Sequence, residues 1–228
     1  DRSRGLGDVY KRQILIEGTK SAMPNPNFDL YEKLIEMDIP VVFFNGYYPS
    51  LSGTYSVCAD NQAGGAELVR HLIERGHTKI AGFFKSDDIQ GHQRYSGFIS
   101  ELFRNGLIIP DENVFWYITE TKEDLFNNPQ EVLNRLGDNT AVVCYNDEVA
   151  FGLIKCLLSA GRRVPEDVAV VSFDNSNLSR ISPVTITSLS YEDRNIGRIA
   201  AQKLVDILNG KEVTSEVLPW TFIQKESS

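Results

Sequence analysis

A chain of 228 residues, 42% hydrophobic and 24% charged, is long enough for one large or two modest globular units with real cores. Its net charge of −8 repels a nucleic-acid backbone, and no basic stripe offers a DNA-binding surface. No apolar run reaches the roughly 18 residues that a membrane helix needs and no signal peptide opens the chain, so no membrane partner is expected. The three cysteines, Cys58, Cys144 and Cys156, read as buried, reduced thiols of a cytoplasmic protein rather than as disulfides or metal ligands.

Residues 1–13 (DRSRGLGDVYKRQ) have no usable periodicity and are read as disordered or non-native. The strand Ile14–Ile16 then starts abruptly, which implies a chain beginning inside a domain. A Pro/Asn-rich turn at Pro24–Asn27 precedes a helix near Asp29–Met37, with Leu30, Leu34 and Ile35 on one face. Pro40 stops that helix, and strands follow at Val41–Phe44 and Tyr55–Ala59. Asp60 or Asn61 can cap the next helix, which Gly76 closes. Lys79–Phe84 reads as a strand, Lys85–Gln93 as a polar loop, and Arg94–Arg104 as a helix with Phe98 and Leu102 inward and Phe103 a further candidate. Val114–Ile118 is a strand, and a less regular helix is expected near Asp124–Leu136.

The richest stretch is Ala141–Asp174. It is an apolar strand, a polar tip at Asn146 and Asp147, an amphipathic helix, a Gly/Pro turn and a second apolar strand ending in Asp174. Continuous β-branched runs are strands buried on both faces, and a crossover helix makes them parallel. Asn146 and Asp174 would therefore lie at carboxyl ends of parallel strands, where open α/β sheets bind ligands. A polar loop, a strand near Thr185–Ser190, a long helix near Glu192–Asn209 and a last strand over Glu216–Gln224 complete the chain. The βαβα order predicts mostly parallel sheets with helices on both faces.

The enzyme templates fail. His71, His77 and His92 form no HExxH pair, the cysteines have no CxxC spacing, and neither a Walker loop, a GxGxxG after a strand nor a GxSxG elbow occurs. No cofactor or metal is expected. The acidic doublets, Asp147-Glu148 among them, read mostly as solvated turns or first turns of helices. Asp87-Asp88 differs, sharing a strand tip with Lys85, Gln90, His92 and Arg94. Such a crowd of donors and acceptors suits a polyhydroxylated ligand, whose hydroxyls both donate and accept. Each residue also has a plainer reading: Asn146 as a helix cap, Asp174 as a turn cap, Arg94 as a surface arginine.

The runs DNQAGGAELVRHLIERGHTKIAGF (60–83), RYSGF (94–98), CYNDEVAFG (144–152), GRRVPEDVAVVSFD (161–174), SPVTITSLS (182–190) and IGRIAAQKL (196–204) resemble the effector-binding domain of the LacI/GalR family. The likeness extends from Ile14 to the C-terminus. LIEGTKSA, FFKSDDIQGHQRYSGF and CYNDEVA look most like the arabinose-responsive AraR-type repressors, which join a GntR-like winged helix to this sensor domain. The resemblance implies an α/β, periplasmic-binding-protein-like fold with two doubly wound parallel-sheet lobes and three hinge crossings. Residues 14–60 and 191–214 would form the amino-terminal lobe, and residues 61–190 and 215–228 the carboxy-terminal lobe.

It also implies ligand contacts at Arg94, Asn146 and Asp174; loop position adds Glu17, Lys85, Asp88 and Gln90. The family's lobe begins with a β-α-β-α unit of about 60 residues, which together with the DNA-binding module lies outside this sequence, so the amino-terminal lobe is expected to be truncated. The expected function is a monosaccharide sensor for a transcriptional repressor, with L-arabinose favoured, a homodimer, and DNA contact only through another module. A transport-type sugar-binding protein of the same fold is the alternative. A sugar-processing enzyme, resting on Asp87, Asp88 and His92, lacks a nucleophile, a metal set or a cofactor loop.

Overall fold

The computed structural model describes residues 13–191 and 195–228. The reading of residues 1–13 therefore lies outside the described residues, save Gln13. The chain divides into two compact units, one of residues up to Ala59 with Asp193–Leu218, the other of Asp60–Glu192 with Pro219–Ser228.

The first unit holds a parallel four-stranded sheet. Its strands are β1 (Ile14–Glu17), β2 (Val41–Phe44), β3 (Tyr55–Ala59) and β9 (Glu216–Leu218), in the order β1-β2-β3-β9. Helix α1 (Phe28–Glu36) places Tyr31 against Val41 and Phe43 of β2, where Tyr48 and Leu51 complete a small aromatic core. Leu30, expected on that face, is exposed. Helix α7 (Ile196–Leu208) packs on β1, β2 and β3, and Asn195 caps it by accepting from Arg198 N at 2.9 Å. The first three positions of the helix expected from Glu192 lie outside the described residues.

The second unit is a six-stranded sheet in the order β10-β8-β7-β6-β4-β5. Its members are β4 (Ile80–Lys85), β5 (Val114–Tyr117), β6 (Ala141–Cys144), β7 (Ala169–Phe173), β8 (Thr187–Ser190) and β10 (Thr221–Ile223), all parallel except β10. Residues alternate between the faces of a strand. Ala81, Phe83, Val142, Cys144 and Val170 share one core with helices α4 (Pro129–Leu136) and α5 (Asp147–Ser159). Helices α2 (Asn61–Glu74) and α3 (Ile89–Arg104) cover the other face, with Phe84 and Phe98 5.2 Å apart. Cys58, Cys144 and Cys156 are buried thiols. Among the described residues no helix is long and apolar enough to cross a membrane.

Five expectations change. The expected last strand, Glu216–Gln224, is two strands, and its first part joins the other unit. Pro219 between them has no N–H to give a ladder. The helix expected near Asp124–Leu136 becomes a 3-10 stretch over Thr119–Asp124 and then α4, which begins at Pro129, a residue suited to a first turn and not to an interior. A short helix, α6 (Asn177–Ile181), stands in the expected polar loop after Asp174, and Phe103 is exposed. Finally, the "polar loop" Lys85–Gln93 is mostly helix: Lys85 ends β4 and α3 already begins at Ile89. Gly91 allows that tight return, because a Cβ there would sit 1.7 Å from Lys85 O.

One close approach sets up the site. A Cβ on Gly65 of α2 would meet Arg94 O at 2.2 Å, and one on Gly97 of α3 would meet Gln62 O at 1.9 Å. The two helices touch backbone to backbone, which brings Asn61 and Arg94 together. Gly97→Ala must push the helices apart and is expected to cost about 1–3 kcal/mol, read as a lowered midpoint in urea unfolding with an unchanged slope.

Candidate functional site

The centre of the second unit's site is Arg94, on the second turn of α3 and 2% exposed. It is no surface arginine. Its Nε donates to Asn61 Oδ1 at 2.9 Å, one terminal nitrogen donates to Tyr145 O, and the other pairs with Asp174 Oδ1 at 3.4 Å. The guanidinium carbon lies 4.7 Å from the Tyr145 ring centre, 4.2 Å from Phe173 and 5.5 Å from Trp220. Planar, weakly hydrated guanidinium tolerates such an aromatic cage, and its fixed fork can serve separated acceptors at once. These contacts engage all three guanidinium nitrogens.

The strand tips supply the rest. Asp174 follows β7 directly with φ at 95°, and Asn175 follows with φ at 46°. That left-handed pair turns the chain sharply at the sheet's carboxyl edge. The Asp174 side chain keeps 35% of its surface exposed. Burial of the remainder raises its pKa above the usual carboxylate value, while Arg94 pulls it down. Asn146 caps α5, its Oδ1 accepting from Val149 N at 3.1 Å. The amide Nδ2 is not engaged by that cap, so the capping and ligand readings are compatible.

Lys85, Asp88 and Gln90 gather around Tyr145. Lys85 Nζ pairs with Asp88, and the Tyr145 hydroxyl donates to Gln90 Oε1 at 3.1 Å with Asp88 Oδ2 at 3.5 Å. Burial holds the phenol well above its ordinary pKa, against the opposing charge of Arg94, so it remains a donor. Asp87 is different. Its carboxylate accepts from Thr119 N at 3.0 Å and Thr119 Oγ1 at 2.6 Å, and ties β4 to the segment after β5. Burial opposes its ionisation, but Thr119 and Lys85 outweigh it and its pKa is lowered. His92, the third member of the enzyme reading, lies against Trp116 and contacts Ser86 O instead.

Glu17 belongs to the first unit, at the end of β1, where Asn45 Nδ2 donates to its Oε1 at 2.9 Å. Of the residues singled out in the sequence, Arg94, Asp174, Lys85, Asp88 and Gln90 meet around Tyr145, and Asn146 follows Tyr145 in the chain. Tyr145, Asn61, Phe173 and Trp220 were not singled out. Tyr145 reads as the end of an apolar strand and Asn61 as a cap; Asp60 caps α2 instead, leaving Asn61 for Arg94. Trp220 comes from a segment remote in sequence, held by its Nε1 donating to Asp60 O at 3.0 Å and stacked on Tyr191. Gly64, whose Cβ would meet Phe173 and Trp220 at 2.8 Å, was the available signal for that close packing. Among the described residues no cluster of three His, Cys, Asp or Glu side chains could hold a metal.

Residues 69–228 match the periplasmic binding protein-like domain. An arabinose metabolism transcriptional repressor of Halalkalibacterium halodurans is 36% identical over 200 residues, covering 86% of this chain and 52% of that protein. A repressor of the same name from Geobacillus stearothermophilus is 36% identical over 206 residues, covering 88% and 56%. The chain thus spans about half the length of these relatives. Among solved structures, a complex of the transcriptional regulator CelR with cellobiose superposes with a TM-score of 0.84 at 27% identity, covering all of this chain and 69% of that one. A LacI-family regulator from Enterococcus faecium with bound ribose gives 0.79 at 25% identity, covering 95% and 79%. These relatives are named as regulators of transcription, not enzymes.

Removing the guanidinium should be costly. Arg94→Ala strands Asp174, Asn61 and the Tyr145 carbonyl together, and is expected to lower stability by about 2–4 kcal/mol, moderated by the partial solvation of Asp174. Arg94→Lys should recover only part of this, since an ammonium cannot reach three separated acceptors in one plane. Urea unfolding of the two variants beside the parent protein measures both.

Proposed function

We propose, for a chain that belongs to the periplasmic binding protein-like domain family and resembles LacI/GalR-type effector-binding domains, that it is the sugar-sensing part of a bacterial transcriptional repressor. The observation that carries this reading is the partly exposed Asp174 carboxylate, held on the buried Arg94 at the carboxyl edge of a parallel sheet. An ionised carboxylate accepts from two sugar hydroxyls at once, and such charge-assisted bonds are among the stronger ones. Gln90 and Asn146 offer amide donors to the same ligand, and the Tyr145 ring gives it an apolar face. Lys85 and Arg94 are already paired with Asp88 and Asp174, which leaves a phosphate no uncompensated cation among these residues and favours a neutral monosaccharide. Lys85 orients Asp88.

L-Arabinose or a related pentose is the favoured effector, supported by the two arabinose metabolism repressors among the relatives. The sugar acts on DNA affinity through a separate DNA-binding module, and only to the extent that it binds one arrangement of the protein more tightly than another. A cytoplasmic homodimer suits paired operator half-sites, since two-fold symmetry in the protein mirrors that of the DNA. Calorimetric titration with L-arabinose, D-xylose, D-ribose and D-galactose tests the reading. Saturable heat with a pentose, weakened at least about tenfold in Asp174→Ala, is the expected result. Absence of heat with all four sugars would overturn it.

A further inference from the structure

We infer that Asp147 is the positioning residue that holds the Asp174 turn, and through it the carboxylate that faces Arg94. Its importance for ligand binding rests on the reading given above; the contacts themselves do not. Asp147 opens α5 and is 1% exposed, so it is not the solvated first-turn acid that its place in the sequence implies. One oxygen accepts from the hydroxyls of Ser172 and Ser188, the latter at 2.8 Å, and the other accepts from the backbone N–H of Ser176. Ser172 and Ser188 are register partners on β7 and β8, both fully buried.

The left-handed turn explains the need for an anion. Successive backbone N–H groups in such a turn point into one concavity, which attracts negative charge. Ser176 N–H reaches Asp147 directly. Asn175 N–H donates to Ser188 Oγ at 3.0 Å, and that hydroxyl in turn donates a hydrogen bond to Asp147. Both N–H groups after Asp174 therefore end on one carboxylate. A non-glycine residue at a φ of 95° costs about 1–3 kcal/mol and persists only where its surroundings over-determine it. The buried acid is a central part of that surrounding, since it gathers both N–H groups that follow Asp174. The turn is also held by the main-chain bond from Asp174 N to Leu189 O at 2.8 Å and by the Asn175 side chain, which accepts from Lys225 Nζ at 2.7 Å and donates to Ser190 Oγ at 3.3 Å.

The test compares the parent protein with Asp147→Asn, Asp147→Ala and the milder Ser188→Ala, which removes only the bridging hydroxyl. Amide hydrogen exchange is read residue by residue. Exchange at Asn175 and Ser176 should accelerate about tenfold or more in Asp147→Ala while the amides of Val142 and Val143 keep their protection, and Ser188→Ala should release Asn175 alone. Asp147→Asn, which keeps an acceptor of the same shape but not the charge, should give an intermediate rate. Affinity for L-arabinose should fall in the same order as the turn opens. Unchanged exchange at Asn175 and Ser176 in the Asp147 variants would overturn the inference, as would an opened turn with undiminished sugar affinity. If the parent protein binds no sugar, the functional reading fails, and the exchange data still decide whether Asp147 holds the turn.

Discussion

The second unit's site depends on burying one guanidinium. A charge almost removed from water is tolerable only when its N–H groups are satisfied and a counter-charge lies near. Arg94 meets both conditions with groups from four separate segments: Asn61 from the start of α2, the Tyr145 carbonyl from the end of β6, Asp174 from the end of β7, and the Trp220 ring from the chain's last stretch. The cation therefore fastens strand tips that the sheet alone brings only to the same edge. It also explains two glycines, Gly64 and Gly65, whose missing side chains let Trp220 and the α3 backbone close upon it.

A chain of dependence runs from the sheet to the Asp174 carboxylate. Parallel pairing sets Ser172 beside Ser188 inside the sheet, the two hydroxyls and the Ser176 amide hold Asp147, and the turn so held presents Asp174. Asp174 is more exposed than its partner, which suits a division of labour in which Arg94 is the support and Asp174 the contact. A buried polar network of this kind is useful only when complete, since an unpaired buried group costs about 1–3 kcal/mol.

Much of this architecture was legible in the sequence because parallel α/β units write their pattern locally. The β-branched runs at Ala141–Cys144 and Ala169–Phe173, the helix between them and the glycine that ends it all follow from residue type and spacing. Arg94, Asp174, Asp88 and Gln90 could be singled out because strand tips carry ligands. What escaped was everything that depends on which distant segments meet. Tyr145 looked like one more apolar residue, Trp220 like part of a single last strand, and Asp147 like one acid of a surface doublet. Their roles come from partners 25 or more positions away: Asp147 from Ser172 and Ser188, Tyr145 from Gln90 and Arg94, Trp220 from Asp60 and Arg94. The early start of α3 was hidden for a different reason. A helical glycine, Gly91, lowers local propensity but is required by the contact with Lys85 O.

The claim at the centre of this account is that Asp174, held on Arg94, is a sugar contact. A crystal structure of the protein with L-arabinose addresses it most directly. The account predicts a sugar ring with at least one hydroxyl within hydrogen-bond distance of the Asp174 carboxylate while the Arg94 pair stays in place. A sugar bound elsewhere, with Asp174 facing only solvent, would contradict it.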